Sequence, residues 1–188
     1  MIDKEKITIP NLLSFYRIIS FPILLYFLIN HIENIFVILL VINLITDILD
    51  GFIARKFNMQ TEFGARLDSI ADIGTYILAI LGIFEFKLND FSPHLISFTV
   101  FLSLFALSNI LSLIKFKRFP SLHLYSWKIG GYIQGGFFFV LFVFGFNIYF
   151  YYFMITWGIL AFLEHIIIQL TISEMKSNLK GLYWVLKK

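Results

Sequence analysis

Four aspartates occur in two pairs within otherwise apolar stretches of the first half of the chain. Asp47 and Asp50 are three residues apart, and Asp68 and Asp72 are four apart, so on helices each pair lies on one face. A carboxylate deep in a bilayer costs ~2.5–3.5 kcal/mol, and a group of four requires cations that offset its charge. Oxygen ligands without His or Cys favour a hard ion, which predicts a Mg²⁺ or Mn²⁺ site. A structural ion-pair network, with Asp50 and Arg55 as one candidate pair, is the alternative.

Small residues accompany both pairs of aspartates. Gly51 and Ala54 lie three apart beside the first pair, and Gly64 lies just before the second. The absence of a side chain lets a ligand approach the backbone, but the same residue types let membrane helices pack closely. Arg55 is suited to two parallel hydrogen bonds with a phosphate, or to anchoring a helix end at the membrane surface. The small residues taken alone leave both interpretations open.

Residues 47–72 resemble the signature of the CDP-alcohol phosphatidyltransferases. The signature is D-x-x-D-G-x-x-A-R-x8-G-x3-D-x3-D, and the sequence fills all of its fixed positions. These positions are Asp47, Asp50, Gly51, Ala54, Arg55, Gly64, Asp68 and Asp72. The segment from Pro10 to Arg17 is similar to the usual opening of family members, and the chain resembles them in length and in a six-helix plan.

The resemblance implies an enzyme that moves a phosphatidyl group from CDP-diacylglycerol to a small polar alcohol and releases CMP. It implies two divalent cations, Mg²⁺ or Mn²⁺, held by Asp47, Asp50, Asp68 and Asp72. Asp72 is then also the residue that accepts the proton of the acceptor hydroxyl. The residues implied in CDP binding are Asp47, Gly51, Ala54, Arg55, Gly64 and Asp68. The resemblance also implies a homodimer, the state in which family members occur.

The acceptor alcohol is left open among glycerol 3-phosphate, serine and inositol phosphate. A phosphorylated acceptor requires converging basic groups, and the candidates are Arg66, Arg118 and Lys128, with Arg17, Lys115 and Lys117 near the same level. Each of these residues is alternatively a topology anchor at the membrane surface. Ser69 and Ile73 stand where the glycerophosphate type of the family has Pro and Lys, so the motif itself does not assign the acceptor.

The elements that must position these residues are membrane helices. The chain has 188 residues, of which 59% are hydrophobic and 14% charged, with 24 Phe and a mean hydropathy of +0.85. A soluble domain has about 25% charged residues, so a water-soluble enzyme and a disordered chain are excluded. The absence of Cys excludes disulfides and thiolate metal sites. The predicted fold is an all-α bundle of six transmembrane helices over 12–30, 34–54, 65–84, 93–114, 129–147 and 149–172.

The distribution of basic residues predicts that both termini and the aspartates are cytoplasmic. In this division of the chain twelve Lys and Arg residues fall on the cytoplasmic side and Lys87 alone on the other. Those on the cytoplasmic side are Lys4, Lys6, Arg55, Lys56, Lys115, Lys117, Arg118, Lys128, Lys176, Lys180, Lys187 and Lys188. The expected location is a membrane, the cell membrane if the source is bacterial. No basic cluster with interleaved aromatics lies outside the spans, so nucleic-acid binding is not expected.

The whole chain, residues 1–188, is predicted to form one membrane-embedded domain. The competing functional interpretation is a cation or proton transporter that uses the buried aspartates as a relay. Such proteins often carry internal repeats or broken helices, which this sequence does not display. A relay also has no need of small residues and Arg55 at fixed offsets. A CDP-alcohol with diacylglycerol as acceptor is an alternative donor that gives the same type of product.

Overall fold

The structure, a computed structural model, describes residues 8–117, 124–173 and 179–187, and within these ranges it contains helices and no strands. The helices are α1 Ile9–Ile29, α2 Glu33–Lys56, α3 Glu62–Phe86, α4 Leu88–Phe91, α5 Leu95–Phe116, α6 Tyr125–Phe144, α7 Ile148–Thr171 and α8 Leu182–Leu186. A short 3₁₀ turn, Ser92–His94, joins α4 to α5. Six segments of the described chain are long and apolar enough to cross a membrane. The prediction of an all-α membrane protein with six spanning helices is confirmed.

The helix ends follow local capping. Thr8 caps α1 by accepting a hydrogen bond from the backbone N–H of Asn11 (3.3 Å), so the helix begins before the predicted residue 12. Thr61 caps α3 in the same way through the N–H of Gly64 (2.9 Å). A side-chain oxygen at this position satisfies an N–H group that has no partner within the helix.

The fifth predicted span, 129–147, is displaced relative to the structure, in which α6 runs from Tyr125 to Phe144. The helix ends there because Gly145 has a φ of +96°, a conformation outside the right-handed helical region. Asn147 then caps α7 through the backbone N–H of Phe150 (2.9 Å). The break predicted at Asn147 is therefore a two-part turn that begins at Gly145.

The chain divides into two compact units, Met1–Asp90 and Phe91–Lys188. In the first unit α1 packs against both α2 and α3, and α2 and α3 also touch each other. Its core contains the fully buried Leu24, Phe36, Leu40 and Leu78. The outward faces carry exposed aliphatic side chains, as expected for helices that face lipid. The expectation of one domain over residues 1–188 stays a prediction.

In the second unit α7 packs against α5, α6 and α8. Gly158 of α7 faces the ring of Phe101 of α5, and a Cβ at residue 158 would overlap that ring. A small residue is thus required for the close approach of the two helices. Lys115, near the end of α5, donates hydrogen bonds from Nζ to the carbonyl oxygens of Gln169 (2.7 Å) and Leu170 (3.1 Å) in the last turn of α7.

Candidate active site

The four motif aspartates meet at the guanidinium of Arg17. Nη1 of Arg17 donates to Asp47 Oδ1 (2.6 Å) and to Asp72 Oδ1 (2.6 Å). Nη2 donates to Asp50 Oδ2 (2.6 Å) and to Asp68 Oδ1 (2.5 Å). Each terminal nitrogen therefore joins one carboxylate of α2 to one of α3. The spacings of three and four place each pair of aspartates on one face of its helix. The guanidinium of Arg17, on α1, holds the two pairs together.

A polar stripe on α1 positions the arginine. Asn11, Ser14, Arg17 and Ser20 follow one another at intervals of three residues, and all four are buried. Ser14 donates from Oγ to Asp50 Oδ2 (3.1 Å), beside the contact made by Arg17. Each step of three residues falls about 60° short of a full turn, so the stripe winds across the side of α1 that packs against α2 and α3. Asn11 faces Gly64 of α3, Arg17 lies among the aspartates, and Ser20 contacts Asn43 of α2.

The aspartates differ in exposure. The side chains of Asp47, Asp68 and Asp72 are 42%, 41% and 37% exposed, whereas those of Arg17 and Asp50 are 0% and 4% exposed. The guanidinium therefore lies at the buried end of the cluster, and three of the carboxylates reach outward from it. A ligand approaching from the open side meets carboxylate oxygens first.

The donor set fits a hard divalent cation. One carboxylate oxygen from each of Asp47, Asp50 and Asp68 lies within 4.8 Å of the other two. Ligands on opposite sides of a Mg²⁺ ion are about 4.2 Å apart, since each bond is about 2.1 Å. The three aspartates are thus close to the separation that one ion requires, and Asp72 shares Nη1 of Arg17 with Asp47.

The small residues of the motif have different surroundings. The Arg55 side chain lies over Gly51, and a Cβ at residue 51 would be 3.3 Å from Arg55 Nη1. Gly64 faces Asn11 of α1, and a Cβ there would overlap the Asn11 amide. Gly64 therefore permits the close approach of α1 to α3, which is the packing role that small residues have in membranes. Ala54 is half-buried.

The ion-pair alternative named Arg55 as the partner of Asp50, whereas the structure pairs Asp50 with Arg17. The sequence groups Arg17 with the candidate acceptor-binding residues because of its charge and its level in the membrane. The sequence contains a signal for its position, the spacing of Asn11, Ser14, Arg17 and Ser20 in an otherwise apolar segment. Polar residues at one helical interval within lipid-soluble sequence predict a face turned toward other polar groups.

The candidate acceptor-binding residues lie in separate parts of the chain. Arg66 is in α3, where its exposed guanidinium is 4.0 Å from the carboxylate of Glu62. Lys128 belongs to the second unit, and its ammonium is 5.9 Å from the centre of the Tyr125 ring. Arg118 lies outside the described residues. Their role in acceptor binding stays a prediction.

The chain is similar to known proteins of the family whose signature its motif resembles. The profile of the CDP-alcohol phosphatidyltransferase family matches residues 7–169. A CDP-diacylglycerol–glycerol-3-phosphate 3-phosphatidyltransferase of Rickettsia felis is 43% identical over 86 residues, which are 43% of this chain and 46% of the relative. The enzyme of the same name from Aquifex aeolicus is 42% identical over 66 residues, 34% of this chain and 36% of the relative. The matched segments thus span less than half of these relatives. No solved structure matches the chain.

Proposed function

This chain belongs to the CDP-alcohol phosphatidyltransferase family, and from that membership we propose that it transfers a phosphatidyl group from CDP-diacylglycerol to a small polar alcohol, with release of CMP. The observation that carries the proposal is the convergence of Asp47, Asp50, Asp68 and Asp72 around one point. All four aspartates are fixed positions of the family signature, which the sequence fills completely.

The proposed cofactors are two divalent cations, Mg²⁺ or Mn²⁺, held by the four aspartates. When bound, such ions neutralise charge on a pyrophosphate and hold attacking and leaving oxygens in line. The exposed carboxylate oxygens of Asp47, Asp68 and Asp72 support binding from the open side of the cluster. The proposed CDP-binding residues are Asp47, Gly51, Ala54, Arg55, Gly64 and Asp68.

In the proposed reaction the acceptor hydroxyl oxygen attacks the phosphorus of the phosphatidyl group. The bond between that phosphorus and the oxygen of CMP breaks, and CMP leaves with the electron pair. The hydroxyl proton passes to a carboxylate oxygen of Asp72, which is more exposed than Asp50 and accepts one hydrogen bond from Arg17. A positioned carboxylate within hydrogen-bond reach of the hydroxyl is suited to general-base catalysis.

Glycerol 3-phosphate is the acceptor that the names of the relatives favour. Serine and inositol phosphate remain the other candidates, since Ser69 and Ile73 depart from the glycerophosphate pattern. Arg66, Arg118 and Lys128 are the proposed ligands of an acceptor phosphate. Arg66 has the exposed side chain that such a role requires.

We further propose that the aspartates face the cytoplasm, in the cell membrane if the source is bacterial, and that the protein is a homodimer. The excess of Lys and Arg on one side of the spans supports this orientation. Cysteine labelling of the termini from each side of the membrane tests it, and mass measurement in nanodiscs tests the dimer.

The decisive experiment measures CMP release from CDP-diacylglycerol by the purified protein with Mg²⁺ or Mn²⁺. Glycerol 3-phosphate, serine and inositol phosphate are supplied in parallel, and a chelator provides the control. Metal-dependent release with one acceptor establishes the reaction and the substrate. Silence with all three, and with CDP-choline and diacylglycerol, would overturn the proposal. Cation flux through the protein in liposomes would then favour the transporter.

A further inference from the structure

Arg17 contacts all four motif aspartates but lies outside the signature of residues 47–72. We propose that Arg17 and divalent cations compete for the same aspartates, so that this residue sets the metal affinity of the site. The inference rests on the proposed function, because it takes the four aspartates as metal ligands. It assigns to Arg17 the role of a positioning residue that acts through the carboxylates.

The hydrogen-bond geometry is the first argument. An arginine has five N–H donors, four of them on its two terminal nitrogens. Arg17 donates once from a terminal nitrogen to each of the four aspartates, at 2.5 to 2.6 Å. Every terminal donor is therefore committed to a different proposed metal ligand. A divalent cation bound by these carboxylates would be attracted by the same negative charge that attracts the guanidinium.

The charge balance is the second argument. Four ionised carboxylates carry four negative charges, and Arg17 supplies one positive charge in direct contact with them. Two divalent ions alone would balance all four carboxylates. Arg17 and the ions together exceed that charge, and like charges in a partly buried site repel strongly because the dielectric screening is weak. The guanidinium therefore lowers the affinity of the site for divalent ions.

The burial of Arg17 is the third argument. Its side chain is 0% exposed, and within the described part of the chain its Nε has no hydrogen-bond partner. The guanidinium is thus enclosed by protein, and we expect it to remain beside the aspartates when ions bind. Its repulsion is a lasting property of the site, and a buried N–H without a partner indicates that its surroundings are already incompletely satisfied.

Replacing Arg17 with a neutral residue has two opposite effects. In the presence of a chelator the aspartates lose their counter-charge, and the protein becomes less stable. In the presence of Mn²⁺ the ions bind more tightly, because the competing charge is gone. A residue that only fills space between α1, α2 and α3 would lower stability equally under both conditions and would leave the metal affinity unchanged.

The test compares Arg17→Met with the unmodified protein and with Lys56→Met. Lys56 is an exposed cation at the end of α2 that is in contact with Phe rings, so its removal controls for net charge. Mn²⁺ binding is measured by calorimetry without any lipid substrate, and thermal unfolding is followed in chelator and in Mn²⁺. For Arg17→Met we expect a midpoint about 10 °C lower in chelator. We expect Mn²⁺ binding about tenfold tighter than in the unmodified protein, a factor equivalent to about 1.4 kcal/mol.

The outcomes separate this inference from the proposed function. Unchanged or weaker Mn²⁺ binding by Arg17→Met would overturn the competition, while metal binding by the unmodified protein would leave the function standing. If the unmodified protein binds neither Mn²⁺ nor Mg²⁺, the two-metal function itself fails. If Arg17→Met is not recovered folded, Arg17→Gln is measured instead. That variant removes the charge and keeps a hydrogen-bonding side chain, so Mn²⁺ binding tighter than in the unmodified protein supports the competition, whereas unchanged or weaker binding contradicts it.

Discussion

Arg17 Nη2 lies 2.6 Å from Asp50 Oδ2, and both side chains are almost fully buried. A charge pair of this kind needs further hydrogen bonds to offset the loss of hydration. Ser14 Oγ donates one of them to the same oxygen of Asp50, and the guanidinium donates the others to Asp47, Asp68 and Asp72. The buried pair therefore anchors the cluster, and the more exposed Asp47, Asp68 and Asp72 extend from it toward the open side.

Asp72→Asn tests the chemical role proposed for this carboxylate. The amide keeps the shape of the side chain but accepts a proton poorly and is a weaker ligand for a hard cation. We expect CMP release to fall about 1,000-fold, within the range of a lost general base. Asp90→Asn, which changes an exposed carboxylate of α4, is the matched control and keeps full activity. Equal activity of the two variants would contradict the role of Asp72.

The sequence allowed the architecture and the acid pairs to be predicted with simple geometry. Long apolar runs require helices in lipid, and spacings of three and four place Asp47 with Asp50 and Asp68 with Asp72 on one face. The position of Arg17 was harder to derive, because it depends on how α1 rotates about its axis when it packs against two other helices. A pattern within one segment gives the polar face, whereas the partner of that face is decided by tertiary packing.

The surroundings of the small residues also depended on tertiary packing. The sequence predicts that Gly51 and Gly64 both let a ligand or a helix approach the backbone closely. In the structure different groups lie beside the two glycines. Gly64 meets Asn11 of another helix, while the space beside Gly51 is bordered by the Arg55 side chain of its own helix. Residue type gives the available space, and only the fold shows whether a protein group already uses it.

Gly51→Ala tests whether the nucleotide approaches the backbone of α2. The added Cβ would lie 3.3 Å from the terminal nitrogen of the Arg55 side chain, and Ala favours a helix interior over Gly, so we expect the free energy of unfolding to change by no more than about 1 kcal/mol. The KM for CDP-diacylglycerol should rise about tenfold, a loss of about 1.4 kcal/mol in binding. Gly135→Ala, at a position with no atom within 4 Å of the new Cβ, is the control. An unchanged KM would show that the ligand does not use this space.

Ser20 and Asn43 form a buried polar contact between α1 and α2. Ser20 Oγ lies 3.0 Å from Asn43 Oδ1 and 2.8 Å from Asn43 Nδ2. Ser20→Ala leaves the amide of Asn43 without this partner, and we expect the free energy of unfolding to fall by about 1–2 kcal/mol. The variants Ser20→Ala, Asn43→Leu and their combination form a double-mutant cycle, measured by unfolding from mixed micelles. A coupling energy of about 0.6 kcal/mol or more is expected for such a pair in a membrane, and additive effects would exclude the interaction.

Glu164 of α7 attaches the short helix α8 to the rest of the second unit. Its Oε1 accepts a hydrogen bond from the backbone N–H of Leu182 (2.8 Å), and its Oε2 accepts one from Ser126 Oγ (2.5 Å). A hydrogen bond to a charged group contributes about 1.5–3 kcal/mol. Glu164→Ala removes both acceptors, so we expect amide hydrogen exchange at Leu182 to accelerate about tenfold to a hundredfold.

Exchange measured by mass spectrometry on peptides covering 179–187 reports this change directly. Glu62→Ala, which alters a carboxylate that is 96% exposed, is the matched control and should leave exchange in the same peptides unaltered. If Leu182 exchanged at the same rate in the Glu164 variant, α8 would be held by its apolar contacts alone. Faster exchange confined to these peptides, with an unchanged unfolding midpoint, would show that the carboxylate holds α8 without determining the stability of the unit.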